Sequence, residues 1–394
     1  MNLNLSLLAV LQGLFLTNNV VFIAINGLVG LMLAPYGWMA TLPVMGYVLG
    51  AALFTAPVAW AQRWLGRKSG FALGLVMAIV SALLCAAAVY VGSFWLLCAA
   101  TMLAGYYSAN GQLYRFAAGE LSTPAFRDKA VSLVMAGGLI GAVIGPNLAA
   151  RTKDLAGAPF AGAYLALAVV AGFALLLLAG LRFPHIPEAA AASTGRPLAE
   201  ILRRPVFIIA AGAGALSYGV MNLLMAATPL AMQHVGLPFS DAAWVLEWHV
   251  IGMFAPGFFT GSLIQRFGPL AVMAAGAALN FVCVGIALSG VDLHHFTLAL
   301  FILGVGWNFL FTASTTLSFS AYAADEKDRA QGALNFLLFA VMALSSFSSG
   351  VLVTTQGWSL LNVGSLFPLL LIVAGLAWLS RLGGRGAVAS AGRG

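Results

Sequence analysis

Ala61-Gln62-Arg63-Trp64-Leu65-Gly66-Arg67-Lys68 joins two long apolar runs, and about 200 residues later Ile264-Gln265-Arg266-Phe267-Gly268 joins two others. A second matched pair, Arg127-Asp128-Lys129-Ala130 and Lys327-Asp328-Arg329-Ala330, has nearly the same spacing. Equivalent charged loops at equivalent places in two halves imply an internal duplication of a unit of six apolar segments. The fold class expected is therefore all-α and membrane-embedded, with twelve transmembrane helices in two six-helix bundles related by a pseudo-two-fold axis.

Composition leads to the same class. Of 394 residues, 62% are hydrophobic and only 7% charged, and the mean hydropathy is +0.99. A soluble chain of this length with so few charges would have an apolar surface. Segments of about 20 residues or more, enough to cross roughly 30 Å of hydrocarbon, fall at 5–34, 40–62, 69–92, 94–117, 130–150, 160–183, 206–230, 241–264, 268–290, 295–319, 330–354 and 358–381. No basic stretch or small-residue cleavage site precedes the first run, which is expected to be a retained helix. Cys85, Cys98 and Cys283 all lie inside apolar runs and form no CxxC pair.

With both termini cytoplasmic, sixteen of the eighteen Lys and Arg fall on the cytoplasmic side, leaving only Arg151 and Lys153 outside. Basic residues collect on that side of multi-pass proteins. The net charge of +7 thus reports topology and argues against nucleic acid as a partner. The longest break between spans is Pro184–Pro205, rich in Pro and Ala. It divides the chain into an N-terminal bundle (1–183), a cytoplasmic linker (184–205), a C-terminal bundle (206–382) and a cytoplasmic tail (383–394).

Two motifs stand out in the second half. Met221 and Met225 form an MxxxM pair in the seventh span, and His249 and Met253 form an HxxxM pair in the eighth. Residues four apart share a helix face. If the turn between the spans is Gln233–Ser240, the four side chains fall within one to two turns of a common depth. Three thioethers and an imidazole suit Cu(I) rather than Mg²⁺ or Ca²⁺. Thioethers need no deprotonation, and protonation of a neutral His can release a metal. Methionine is also ordinary filler of apolar helices, whereas His in a span is rare and usually functional.

Other candidates carry both a binding and a packing reading. Glu247 is the acid well inside a span; it could take a proton, pair with an amide or Tyr across the bundle, or sit near the interface beside Trp244 and Trp248. Gln12, Asn18, Asn19 and Asn26 of the first span could face a cavity or hydrogen-bond neighbouring helices. Tyr106, Tyr107, Asn110, Gln112 and Tyr114 of the fourth span, with Trp307 and Asn308 of the tenth, are what a planar organic solute would use for stacking and hydrogen bonding. They also serve as ordinary packing residues. Arg115 reads as snorkelling or pairing with Glu120. His294 and His295 beside Asp292 read as an exposed loop. HExxH, GxSxG, phosphate-cradling loops and paired intramembrane acids do not occur, so an enzyme is not expected.

The twelve spans, the basic Gly-containing loop after the second, and Gly137-Gly138-Leu139-Ile140-Gly141-Ala142-Val143-Ile144-Gly145-Pro146 in the fifth resemble the major facilitator superfamily. Gln62 and Gln265 stand where that family's loop usually has Asp, and Ala149-Ala150 where the fifth-helix pattern usually ends in two glycines. Within the superfamily, the MxxxM and HxxxM pairs resemble the CcoA-type copper importers. By resemblance, Met221, Met225, His249 and Met253 take that family's metal positions. The chain would then import copper across the bacterial inner membrane by alternating access, supplying assembly of cbb3-type cytochrome oxidase. The resemblance further implies a monomer in the lipid bilayer, no permanently bound cofactor, copper as transported substrate and a cytoplasmic copper chaperone as acceptor. The same branch contains riboflavin importers, so import of a small organic solute, riboflavin first, is the alternative.

Overall fold

Gly66 and Gly268 hold the same unusual backbone, φ 79° and ψ 162° in one, φ 82° and ψ 158° in the other. That region is essentially reserved for glycine. The two matched loops thus turn the chain by one shared device, and the repeat legible in sequence is present in the backbone. The computed structural model describes residues 3–122, 127–183, 197–323 and 326–391.

All regular structure among the described residues is helical. The first half contains α1 (Leu3–Leu33), α2 (Leu42–Tyr90), α3 (Phe94–Gly111), α4 (Tyr114–Glu120), α5 (Arg127–Ala136), α6 (Gly138–Thr152) and α7 (Ala161–Ala179). After the short α8 (Leu198–Leu202), the second half contains α9 (Pro205–His234), α10 (Phe239–Phe254), α11 (Gly257–Phe267) and α12 (Pro269–Ser289). It closes with α13 (Leu293–Ser318), α14 (Lys327–Thr355) and α15 (Gly357–Ala391).

Nine stretches among the described residues are long and apolar enough to cross a membrane. One of them, Gly37–Tyr90, has 54 residues and folds back at Gly66, so it supplies two crossings. Two further crossings are interrupted: α3 gives way to α4 at Gln112–Leu113, and α10 to α11 at Ala255–Pro256. The total is twelve, six in each half.

Of the linker expected at 184–205, residues 184–196 lie outside the described residues. The remainder carries α8, whose Ile201 is buried against Phe207, Ala211, Ala321 and Ala330 of the second half.

The glycine run of the fifth span has a packing cause. A Cβ on Gly141 would stand 2.5 Å from Gly13 O and 2.6 Å from Thr17 N, so α6 lies directly on the backbone of α1. In hydrocarbon, helix association depends on such close approach, because lipid tails are as apolar as a leucine surface.

The halves meet at the end away from most of the basic residues and part at the other. Thr41 Oγ1 donates to Ser346 O at 2.6 Å and accepts Gly350 N–H at 3.0 Å, tying the start of α2 to α14. Asn147 Nδ2 of α6 donates to Glu247 Oε2 of α10 at 2.7 Å. Phe160 and Phe239 meet edge to face at 5.4 Å. Toward the basic end the pattern inverts. In α2, Pro43, Val44, Tyr47, Val48, Gly50 and Ala51 are buried, whereas Thr55, Ala56, Pro57, Ala59 and Trp60 are exposed. Those five positions span an arc of about 200°, wider than a narrow lipid-facing stripe, while Val58 on the remaining face stays buried. Asn335, Phe336 and Leu337 of α14 are exposed at the same end. The cavity between the halves therefore opens toward the basic end.

A valine at Gly141 should drive α6 from α1, because the neighbouring atoms are backbone and cannot turn aside. Overpacking costs on the order of 1–3 kcal/mol where side chains can yield, and more here. Size-exclusion chromatography of Gly141→Val in detergent should show loss of the monodisperse peak that the wild type gives; an unchanged profile would refute the contact.

Candidate functional site

The buried amides divide into those already bonded to protein and those left open. Asn110 Nδ2 donates to Gly70 O at 2.8 Å and its Oδ1 accepts Gln62 Nε2 at 3.4 Å, holding α3 against both arms of α2. Asn26 accepts the Tyr164 hydroxyl, and Asn222 donates to Ser345 Oγ and Ser346 Oγ at 2.9 and 2.8 Å. Asn308 has a particular task. Pro256 lacks an N–H and interrupts the eighth crossing. Asn308 Nδ2 donates to Met253 O at 2.7 Å at that break, while its Oδ1 lies 2.7 Å from Thr260 Oγ1 on α11.

The basic end of the first half carries a charged network. Arg67 pairs with Glu120 through two nitrogens and reaches Gln62 Oε1 at 2.5 Å. A neutral Gln62 therefore bridges Arg67 and Asn110, and the carboxylate comes from α4. The expected pairing of Arg115 with Glu120 is accordingly corrected: Arg67 holds Glu120. The Arg115 guanidinium lies 4.9 Å from the Phe116 ring centre, and its buried Nε has no partner.

The aromatic residues of the fourth crossing are mostly core. Tyr107 and Tyr114 are fully buried around Phe15, and Tyr114 also packs on Phe71. Tyr106 sits in a small cluster with Val58, Ala109 and Phe54. Trp307 differs. It stacks on Phe311 with centroids 5.1 Å apart and planes 8° apart, and Tyr218 of α9 meets both edge-on at 5.1 and 5.3 Å. Tyr218 and Phe311 are only half-buried, and the indole Nε1 has no acceptor among the described residues.

Opposite this panel stand groups of the first half. Half-buried Asn19 donates to the Tyr47 hydroxyl at 3.2 Å. Tyr218 is close enough to feel both Tyr47 and Arg115. Asn18 is buried with a free Nδ2. Residues of α1, α2, α4, α9 and α13 thus converge between the halves. Tyr218 and Phe311 were not singled out from sequence; the i, i+4 pair Trp307/Phe311 was the signal available.

The two metal-type pairs lie in the interior. Met221, Met225 and Met253 belong to the main apolar core. His249 is fully buried, and its Nδ1 lies 2.6 Å from Leu300 O of α13, with Nε2 unpartnered. Glu247 is held by Asn147 across the halves. At the loop before α13, His295 bonds the Asp292 carboxylate through its backbone N–H and its ring, which holds that carboxyl below its ordinary range. This is a helix cap.

The profile of the Major Facilitator Superfamily matches residues 5–345. The chain belongs to this superfamily. A relative from Brucella anthropi described as riboflavin transporter RfnT is 39% identical over 391 residues, spanning 98% of each chain. An uncharacterized transporter of the same superfamily from Bacillus subtilis, YddS, is 27% identical over 87% of this chain and 83% of its own. Among solved structures, the nucleoside transporter NupG superposes with a TM-score of 0.70 at 13% identity, covering 95% of this chain and 99% of that one; this likeness is one of fold. A multi-pass superfamily transporter is not an enzyme, as the motif survey expected.

Copper import is overturned by the full-length relative whose cargo is riboflavin. The expectations that copper is the substrate and a copper chaperone the acceptor fall with it. The copper reading rests on a signature that a methionine filling a helix interface and a methionine holding a soft cation share.

Replacing Asn308 by Leu should destabilise the second half, since Met253 O loses its side-chain partner at about 1–3 kcal/mol, whereas Thr260 Oγ1 keeps its bond to Pro256 O. The melting temperature of purified Asn308→Leu should fall clearly below that of wild type, and no change would show the bonds to be dispensable.

Proposed function

We propose that this protein imports riboflavin by alternating access across the bacterial inner membrane, with both termini cytoplasmic. The observation that carries this reading is the 39% identity over 98% of both chains to a riboflavin transporter. The sidedness rests on the sixteen Lys and Arg gathered at one end. The cavity agrees in chemistry. An isoalloxazine ring needs an aromatic face and a few hydrogen bonds, and Trp307, Phe311 and Tyr218 stand opposite Asn19, Tyr47 and Arg115.

The conformation described is then the inward-open one. The halves 1–183 and 206–382 act as the two rocking units of a monomer. Opening outward requires the Thr41–Ser346 and Asn147–Glu247 bonds to break and α2 and α14 to close at the basic end. Both bonds join neutral or singly charged partners at one end of the cavity, so the clasp can reopen without separating an ion pair. In this reading Asn18, Asn19 and Trp307 belong to the binding cavity, Glu247 to the outer clasp, and Asn110, Asn308 and Tyr106 to the framework.

Membrane vesicles or proteoliposomes carrying the protein should accumulate labelled riboflavin saturably, and labelled copper should not enter above the protein-free control. Removal of one stacking face is worth about 1–3 kcal/mol, or roughly fivefold to 150-fold in affinity. Trp307→Ala should therefore raise the riboflavin KM at least about fivefold. Absence of riboflavin uptake by wild type in both orientations would refute the proposal.

A further inference from the structure

Buried donors are left open on α1, α4 and α13. Arg115 Nε–H, Trp307 Nε1–H and Asn18 Nδ2–H are buried donors with no acceptor among the described residues. Asn19 Nδ2, the cavity amide beside them, points its donor to the Tyr47 hydroxyl. Among the described residues, two carboxylates are engaged elsewhere: Glu120 holds Arg67, and Glu247 holds Asn147 at the far end. A buried donor without an acceptor is costly, and more so when it belongs to a charged group, as Arg115 Nε does. A solute that presents acceptors removes that cost on entry, whereas a cation would add to it.

We propose that Arg115 is the specificity-determining residue of the cavity, donating to the acceptor-rich edge of a neutral or anionic heteroaromatic ring whose face lies against the Tyr218–Trp307–Phe311 panel. The inference rests on the flavin reading and narrows it. Recognition falls on the adjacent acceptor pair formed by the C4 carbonyl and N5 of the ring system, which matches the fork of a guanidinium, and not on the sugar-alcohol chain. Arg115 is placed for this by the interruption at Gln112–Leu113: α4 restarts at Tyr114, immediately before it. Its side chain lies within electrostatic reach of Tyr218, which touches both rings of the stacked pair. Lysine at this position would keep the charge and lose the fork.

The test is competition against labelled riboflavin uptake in proteoliposomes, with transport normalised to inserted protein. The competitors are lumichrome (the flavin ring system without the side chain), ribitol (the chain without the ring) and proflavine, a flat tricyclic cation with no carbonyl edge. For wild type, lumichrome should compete while ribitol and proflavine at equal concentration should not. In Arg115→Gln the inhibition constant of lumichrome should rise at least tenfold. The riboflavin KM should rise with it, and the rate at saturating riboflavin should stay within threefold. Arg115→Lys should fall between the two, and it carries the test with at least a threefold rise should the Gln variant fail to insert. A lumichrome constant unchanged in the variants, or proflavine competing as well as lumichrome, overturns the assignment of Arg115 and leaves riboflavin transport standing. Wild type that takes up no riboflavin overturns both.

Discussion

A polar group placed in hydrocarbon must find its partner inside the protein, because no water is there to serve it. Much of this structure follows from how each such group is answered. Asn110 and Gln62 join the two arms of α2 to α3, Asn26 meets Tyr164, and Asn222 meets the paired serines of α14. The break at Pro256 is tolerated because Asn308 bonds Met253 O beside it. These bonds join helices that apolar contact alone would hold only weakly in a bilayer. Glycine does the rest, letting α6 rest on the backbone of α1.

The same constraint separates framework from cavity. An amide bonded at both ends is committed to holding helices, and an unanswered donor beside a half-buried aromatic panel is available to a solute. Asn110 and Asn308 fall on the framework side of that division; Trp307 and Arg115 fall on the cavity side. The clasp obeys it as well. Thr41 bonds to the backbone of α14, and Asn147 to a single carboxylate, contacts that a rocking motion can exchange for other partners.

The fold was legible because its signals are collective. Spans of apolar residues, basic residues gathered in alternate loops and loops repeated about 200 residues apart each average over many positions, and Gly66 and Gly268 confirm the repeat in a single shared backbone conformation. The cavity was less legible because it depends on single side chains whose alternatives have the same sequence pattern. Tyr106, Tyr107 and Tyr114 have the composition of a stacking site and are core. Trp307 was named from its residue type, but Tyr218 and Phe311 become visible only when α9 and α13 are placed side by side.

The copper reading illustrates the limit most clearly. MxxxM and HxxxM are faithful statements about which residues share a helix face, and that much holds in α9 and α10. What a pattern on one helix does not contain is the identity of the surface it faces. The imidazole of His249 lies against Leu300 O of α13, a helix some fifty residues further along the chain, and α13 approaches α10 closely because Gly304 leaves room for the backbone of His249. That contact is tertiary and involves a glycine that carries no chemical signature of its own. Open donors are legible in the same indirect way: Glu120 and Glu247 become unavailable to Arg115 only once Arg67 and Asn147 are seen to hold them. Function in this chain is set by which polar groups remain after the helices have been joined, and that remainder exists only in three dimensions.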